Sequence, residues 1–388
     1  MKRGSFKQMK TTNKTLILNN IRQNEVTSRA QIAKDTSLTP PTVSTIVKEL
    51  IEEKLVKETE ELGISQGGRK PKLLVINEEG HLILGIDVSS KKISGIVINL
   101  NGQVVHRVEI KIVLPITKEQ FTTKLFEVIE LMKQYTDSIS KELLGLGIAM
   151  NGVVDSENGI SIFAPNLNLR DIPLKKIIEE TYDINVLVEN DVRAMVLGES
   201  WFNGNAEFDN LVLINLGYGV GSGIIIEGKL FRGNQGLAGE FGHMVIDYHN
   251  GLKCDCGNRG CIETLISGSA IEKRAIAEGI IAEHEGASDL KRLADNGNEQ
   301  AVTLFQDIGR TLGTGLINVI HFINPDKILL SGGISNASDY LLPAVHEVIN
   351  KSEMVSIVGE PIIEVSNKQE NQAALGACSL FLEELFKN

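Results

Sequence analysis

Residues 243–263 read HMVIDYHNGLKCDCGNRGCIE, and they hold three of the four cysteines in a chain of 388 residues. Cys254, Cys256 and Cys261 fall within eight residues, and His243 stands just upstream behind Gly239-Glu240-Phe241-Gly242. Three thiolates and one imidazole are a closed set for tetrahedral zinc, with no position left for a catalytic water. The stretch therefore predicts a structural Zn2+ held by His243, Cys254, Cys256 and Cys261. Any chemistry on a ligand falls to the neighbours that the metal would hold still. The fourth cysteine, Cys378, is far away. One lone thiol beside a metal set fits a reducing cytoplasm better than a disulfide scaffold.

The rest of the composition is that of a soluble globular protein large enough for two or three domains, with 42% apolar and 23% charged residues. No 18-residue apolar run exists, so no membrane span is expected, and the basic start lacks the apolar stretch of a secretory signal. The net charge of −11 argues against nucleic acid binding by the whole surface. The charge is uneven, however. Residues 1–72 carry 14 Lys and Arg against 8 Asp and Glu, a balance of +6, and the remainder carries 25 against 42, a balance of −17. A basic head on an acidic body points to a local contact with nucleic acid.

The head has the pattern of a DNA reader. Leu16, Ile17, Leu18 and Ile21 share one side of a helix of about two turns. Thr27-Ser28 offers a cap for a short helix over 29–34, and 35–38 make a tight link. Thr39 caps a third helix with Pro40 in its first turn, and Val43, Ile46, Val47, Leu50 and Ile51 form its apolar stripe. Arg29, Thr39, Thr42, Ser44, Thr45 and Lys48 are the candidate DNA contacts, because small hydroxyls and a cation near a helix start suit a major groove. Residues 55–57 and 72–76 read as strands joined by Gly67-Gly68-Arg69-Lys70-Pro71. This is the order of a winged helix-turn-helix, with Arg69 and Lys70 at the wing tip aimed at a minor groove.

The body, from about residue 78, reads as α/β. Residues 82–88, 93–99 and 104–112 make three antiparallel strands, and further strands at 144–150, 186–189, 211–216 and 328–330 alternate with helices. A second cycle of strand, glycine turn and strand begins near Asn210. The division expected is a head over 1–77 and a body over 78–388. The body splits into lobes of roughly 78–195 plus the C-terminal helix, and 196–370, with a ligand cleft between them.

This body resembles the ROK family of repressors and sugar kinases, and the likeness runs from about residue 80 to the end. It is carried by Glu189-Asn190-Asp191, by Ala238-Gly239-Glu240-Phe241-Gly242-His243, and by 254–263. The resemblance implies an actin-like, ribonuclease-H-like pair of lobes. It implies monosaccharide contacts at Asn190, Asp191, Glu240, His243 and Glu263, with Gly152 and Asn166 on weaker motifs. The residue types suit that ligand independently, since carboxylates and amides pair with a ring of hydroxyls and reject analogues lacking one. With its winged head, the chain is most similar to the xylose-operon repressors of Gram-positive bacteria.

Kinases of the family open on a D-x-G-G-T-K turn that wraps ATP phosphates. Here that turn is Asp87-Val88-Ser89-Ser90-Lys91-Lys92, and the second phosphate loop is Gly217-Tyr218-Gly219. Replacing two glycines removes the close backbone approach a phosphate cradle needs. The expectation is a non-enzymatic homodimer that binds an inverted-repeat operator and is released by xylose, with Asp191 accepting a bond from a ring hydroxyl. The alternatives are an active sugar kinase with a DNA-binding extension, and a repressor sensing glucose or an amino sugar.

Overall fold

The computed structural model describes residues 6–62, 71–205, 207–366 and 371–386. The chain divides into two compact units, Met1–Asp191 with Ala373–Asn388, and Val192–Gln372.

The first unit opens with α1 (Phe6–Gln23), β1 (Thr27–Ser28), α2 (Arg29–Thr36), α3 (Pro40–Glu52), β2 (Val56–Leu62) and β3 (Lys72–Ile76). Local chemistry sets these boundaries. Ser28 caps α2, its hydroxyl accepting from the Gln31 N–H, and Ser37 ends the helix in a left-handed conformation. Thr39 caps α3 by accepting from the Thr42 N–H at 3.4 Å, with Pro40 in the first turn. Val43, Ile46, Val47 and Leu50 of α3 are buried, as are Ile17, Leu18 and Ile21 of α1 and Ile32 of α2. Each such side chain contributes about 1.5–3 kcal/mol.

Three details differ from the sequence reading. The first helix has 18 residues, not two turns, because its leading half is polar and leaves no hydrophobic stripe. Leu16 is 42% exposed, so it lies off the core face. Residues 27–28 form a strand as well as a cap, giving a three-stranded sheet of order β1-β3-β2.

There follow β4 (His81–Val88), β5 (Lys92–Asn99), β6 (Val104–Lys111), α4 (Lys118–Ser138), β7 (Glu142–Met150), β8 (Val153–Asp155), β9 (Ile160–Ala164), β10 (Leu169–Ile172), α5 (Leu174–Tyr182) and β11 (Val186–Asn190). The main sheet has the order β11-β7-β4-β5-β6, with β4, β7 and β11 parallel and β5 and β6 antiparallel. The near-continuous apolar runs of β4 and β5 are almost wholly buried, as strands covered on both faces require.

The second unit takes in α6 (Asp191–Phe202, whose first residue belongs to the first unit), β12 (Leu211–Leu216), β13 (Val220–Ile226) and β14 (Lys229–Leu230). It continues with α7 (Glu263–Ile266), α8 (Gly268–Ala277), α9 (Ala287–Asp295), α10 (Glu299–Ile323), β15 (Lys327–Ser331), α11 (Ser338–Ile349), α12 (Glu353–Val358) and β16 (Ile362–Val365). Its sheet, β14-β13-β12-β15-β16, repeats the first strand for strand: a three-stranded meander with two parallel strands added beside its first member. This is the doubled, actin-like arrangement the sequence reading expected. The last helix, α13 (Gln372–Phe386), returns to the first unit, where Gly147 of β7 lets the Ala377 backbone approach. Among the described residues no helix is long and apolar enough to cross a membrane.

Candidate functional site

In the second unit the loop between β14 and α7 gathers the predicted metal ligands. Antiparallel bridges pair Val245 with Cys261 and Lys253 with Arg259, folding the loop back on itself. The ligand atoms of His243, Cys254, Cys256 and Cys261 all lie within 4.8 Å of one another. Cys254 Sγ stands 3.6 Å from His243 Nδ1, and Cys256 Sγ stands 3.6 Å from Cys261 Sγ. Sulfurs on a tetrahedral zinc are about 3.8 Å apart, so the set fits a metal ion with little rearrangement. Burial pushes the Cys261 thiol up to about 12 and raises Cys254 too. The Cys256 thiol is lowered instead, its desolvation outweighed by hydrogen bonds from the Asn258 backbone and the other two thiols; a metal ion would favour the thiolate at all three.

The same loop presents the candidate sugar ligands of this unit. Gly239 adopts φ +90, and a side chain there would meet the Ser222 carbonyl. That oxygen-to-backbone closeness, with the Ser222 N–H and hydroxyl both donating to the Gly239 carbonyl, seats Glu240 and His243 against β13. The His243 ring has Nδ1 toward Cys254 and Nε2 toward Glu240, whose Oε2 is 4.0 Å away. Glu263 opens α7, and its Oε2 accepts from the Val220 N–H at 2.8 Å. It thereby props the Gly217-Tyr218-Gly219 turn, a task the sequence gave no sign of, since it depends on two segments 43 positions apart.

In the first unit the candidates cluster at the C-terminal ends of the three parallel strands, where ligands of α/β sheets bind. Asn190 Nδ2 donates to the Gly152 carbonyl and to Asp191 Oδ1, both at 3.0 Å. Asn151 Nδ2 lies 3.4 Å from Asp191 Oδ2, so amides reach both oxygens of that carboxylate. Asn151 was not singled out from sequence, and its carbonyl oxygen is buried without a partner. Asn166 sits on the 3-10 turn Pro165–Leu167, whose Pro165 ring closes on Gly152. Asp87 is the penultimate residue of β4, within reach of the Asp191 charge. Burial pushes its carboxyl up to about 7, the Asp191 charge adds to this, and Lys92 opposes it.

The turn that follows Asp87 is an ordinary closed hairpin. The Ser89 N–H donates to the Lys92 carbonyl at 3.0 Å, the Ser89 hydroxyl does the same, and the Lys92 N–H donates back to that hydroxyl. Neither Ser89 nor Ser90 takes a positive φ. The Gly217 N–H is likewise spent on the Gly219 carbonyl.

On the head, Ser44, Thr45 and Lys48 are exposed along α3, with Thr39 at its cap and Thr42 half-buried. Arg29 pairs with Glu58 at 2.9 Å, and Lys72 holds the other oxygen of the same carboxylate. Arg29 therefore knits α2 to the wing strands. Arg69 and Lys70 lie outside the described residues.

The winged helix-turn-helix DNA-binding family matches residues 11–57, and the ROK family matches residues 83–384. The chain belongs to the ROK family. This ROK protein is 34% identical over 379 residues to the xylose repressor of Bacillus spizizenii, covering 97% of this chain and 96% of that one. A crystal structure of a ROK family transcriptional regulator, a homolog of the E. coli MLC protein, matches it with a TM-score of 0.86 at 29% identity, covering 97% of both chains. A ROK family glucokinase from Streptomyces griseus, in complex with glucose and AMPPNP, matches with a TM-score of 0.65 at 27% identity, over 77% of this chain and 98% of that one.

Proposed function

We propose that this ROK protein is a sugar-responsive transcriptional repressor: a homodimer whose two heads bind an inverted-repeat operator and let go when xylose binds. The observation that carries this reading is that the DNA-reading α3 and the strand ends bearing Asn190 and Asp191 belong to one compact unit. A sugar acting on those strand ends acts on the body that carries the head. The full-length likeness to a xylose repressor supports the choice of sugar.

In this reading Gly152, Asn166, Asn190, Asp191, Glu240, His243 and Glu263 bind the ring hydroxyls. Asp191, held by two amides, serves as a fixed acceptor. His243, Cys254, Cys256 and Cys261 would hold Zn2+, which supplies a rigid closed centre and no reactive position. Glu240 and Glu263 keep their places because the loop does. Thr39, Thr42, Ser44, Thr45 and Lys48 meet the operator, with Arg69 and Lys70 on the wing. The hairpin closed by Ser89 favours a non-enzyme over a kinase, because its N–H and hydroxyl already have partners and offer nothing to a phosphate.

Fluorescence anisotropy on labelled operator DNA tests this directly. Saturating xylose is expected to weaken operator binding by about 100-fold, worth about 2.7 kcal/mol of coupling. An ADP-release assay with xylose, glucose and N-acetylglucosamine is expected to stay at background. Turnover at about 1 s⁻¹ or faster would establish a kinase instead, and a response to glucose alone would reassign the effector.

A further inference from the structure

We propose that a clasp between the end of α3 and the first residues of β4 and β7 carries the effector signal to the DNA-reading helix, with His81 and Glu142 as its positioning residues. The inference rests on the repressor reading above and extends it to residues that touch neither sugar nor DNA.

A helix ends with carbonyls that have no partner within it. In α3 the Glu49, Leu50 and Ile51 carbonyls accept from the Glu53, Leu55 and Lys54 N–H groups, and the two carbonyls just past the helix take side-chain partners from farther along the chain. The Glu53 carbonyl accepts from His81 Nε2 at 2.7 Å, and the Lys54 carbonyl accepts from Asn77 Nδ2 at 2.9 Å. Lys54 itself adopts a left-handed φ of 57, and its Nζ reaches Glu142 Oε1 at 2.7 Å. The connecting chain presses closely on this end: a side chain at Gly80 would sit 1.9 Å from the Lys54 carbonyl oxygen. The Asn77 N–H donates to the Leu55 carbonyl, so the link returns onto the residue after Lys54. The residues that end α3 are thus held by His81 of the body and Asn77 of the link at two successive carbonyls, and by the Lys54–Glu142 ion pair to β7.

His81 and Glu142 are themselves register partners, the opening residues of β4 and β7. At their far ends the same two paired strands deliver Asp87 and, one step past Met150, Asn151, whose amide lies on Asp191. Eight residues of strand span about 25 Å. The pairing is regular and buried from Ile83–Gly145 to Val88–Met150, and one β-bulge separates that stretch from the His81–Glu142 pair, so a shift at the Asp191 end is passed along the strands to the bulge and through it to His81 and Glu142. The clasp adds little stability of its own, because the Lys54–Glu142 pair is more than half exposed. Its effect is on where the end of α3 points. One partner is a carbonyl dipole and the other a charge pair, so each is removable separately.

The test measures operator affinity with and without saturating D-xylose, alongside xylose affinity and melting temperature, for the full chain. In Glu142→Ala, Lys54→Ala and His81→Phe the xylose-induced change in operator affinity is expected to shrink about fivefold or more. Xylose affinity is expected to stay at the wild-type value. The swapped pair Lys54→Glu with Glu142→Lys, and the donor-keeping His81→Gln, are expected to restore the change. The ratio is taken within each variant, so the altered charge near DNA cancels. A ratio that keeps its wild-type size in Glu142→Ala and Lys54→Ala, or that falls only in step with the melting temperature, overturns the clasp. If wild-type operator binding ignores xylose altogether, the repressor reading is what fails.

Discussion

Asp87 holds its carboxyl where ionisation is opposed. In the hairpin that follows it, the groups a phosphate would need are already bonded to each other. The carboxyl nevertheless stays near the end of β4, close enough to feel the Asp191 charge. Desolvation first, and the neighbouring charge second, push it up to about 7. An unfolded aspartate titrates near 3.9, so the native state holds an extra proton between about pH 4 and pH 7. Stability contributed by that protonated form is present below pH 4 and is lost as pH rises through 7. Asp87→Asn is therefore expected to melt several degrees above wild type at pH 8.5, reflecting on the order of 4 kcal/mol of relieved penalty. The advantage should vanish near pH 4. Paired melting curves across that interval check it, and a pH-independent difference would assign the effect to packing instead.

The loop between β14 and α7 gathers the candidate metal and sugar ligands, and Glu263 at its end bonds to Val220 beside the glycine turn. Cys256 is exposed while Cys254 and Cys261 are buried, so Cys256→Ser removes one ligand with little change to the core. The expected result is loss of bound zinc by elemental analysis and a drop of at least about tenfold in xylose affinity. Operator affinity without sugar should be unchanged, since the head lies in the other unit. The gathering of His243, Cys254, Cys256 and Cys261 was legible in the sequence, because one histidine and three cysteines at short spacing are brought together by the turns between them. The α3 cap and stripe were legible for a similar reason: Thr39, Pro40 and the apolar repeat act locally. The polar half of α1, the two-residue strand β1 and the Glu263 bond to Val220 were not. Each depends on packing or on a partner far along the chain, which no short pattern records. The His81 contact with Glu53, 28 positions apart, belongs to the same class.

At the level of the whole chain, the basic head and acidic body were visible in the charge count, and the doubled sheet was visible in the second cycle near Asn210. A head built into the first unit makes a single copy a poor reader of a long site, since one α3 covers one half. Sedimentation of the protein with operator is accordingly expected to give two chains per duplex, and a single half-site should bind at least about 100-fold more weakly. One chain per full operator would rule out paired reading. The repeated topology has a wider consequence. The Ser89–Lys92 hairpin and the Gly217–Gly219 turn occupy equivalent places, each joining the first two strands of its meander. Both turns sit at the ends of the strand pairs they close, beyond the parallel strands of each half. Either corner can therefore change in sequence while the parallel strands of its half stay as they are.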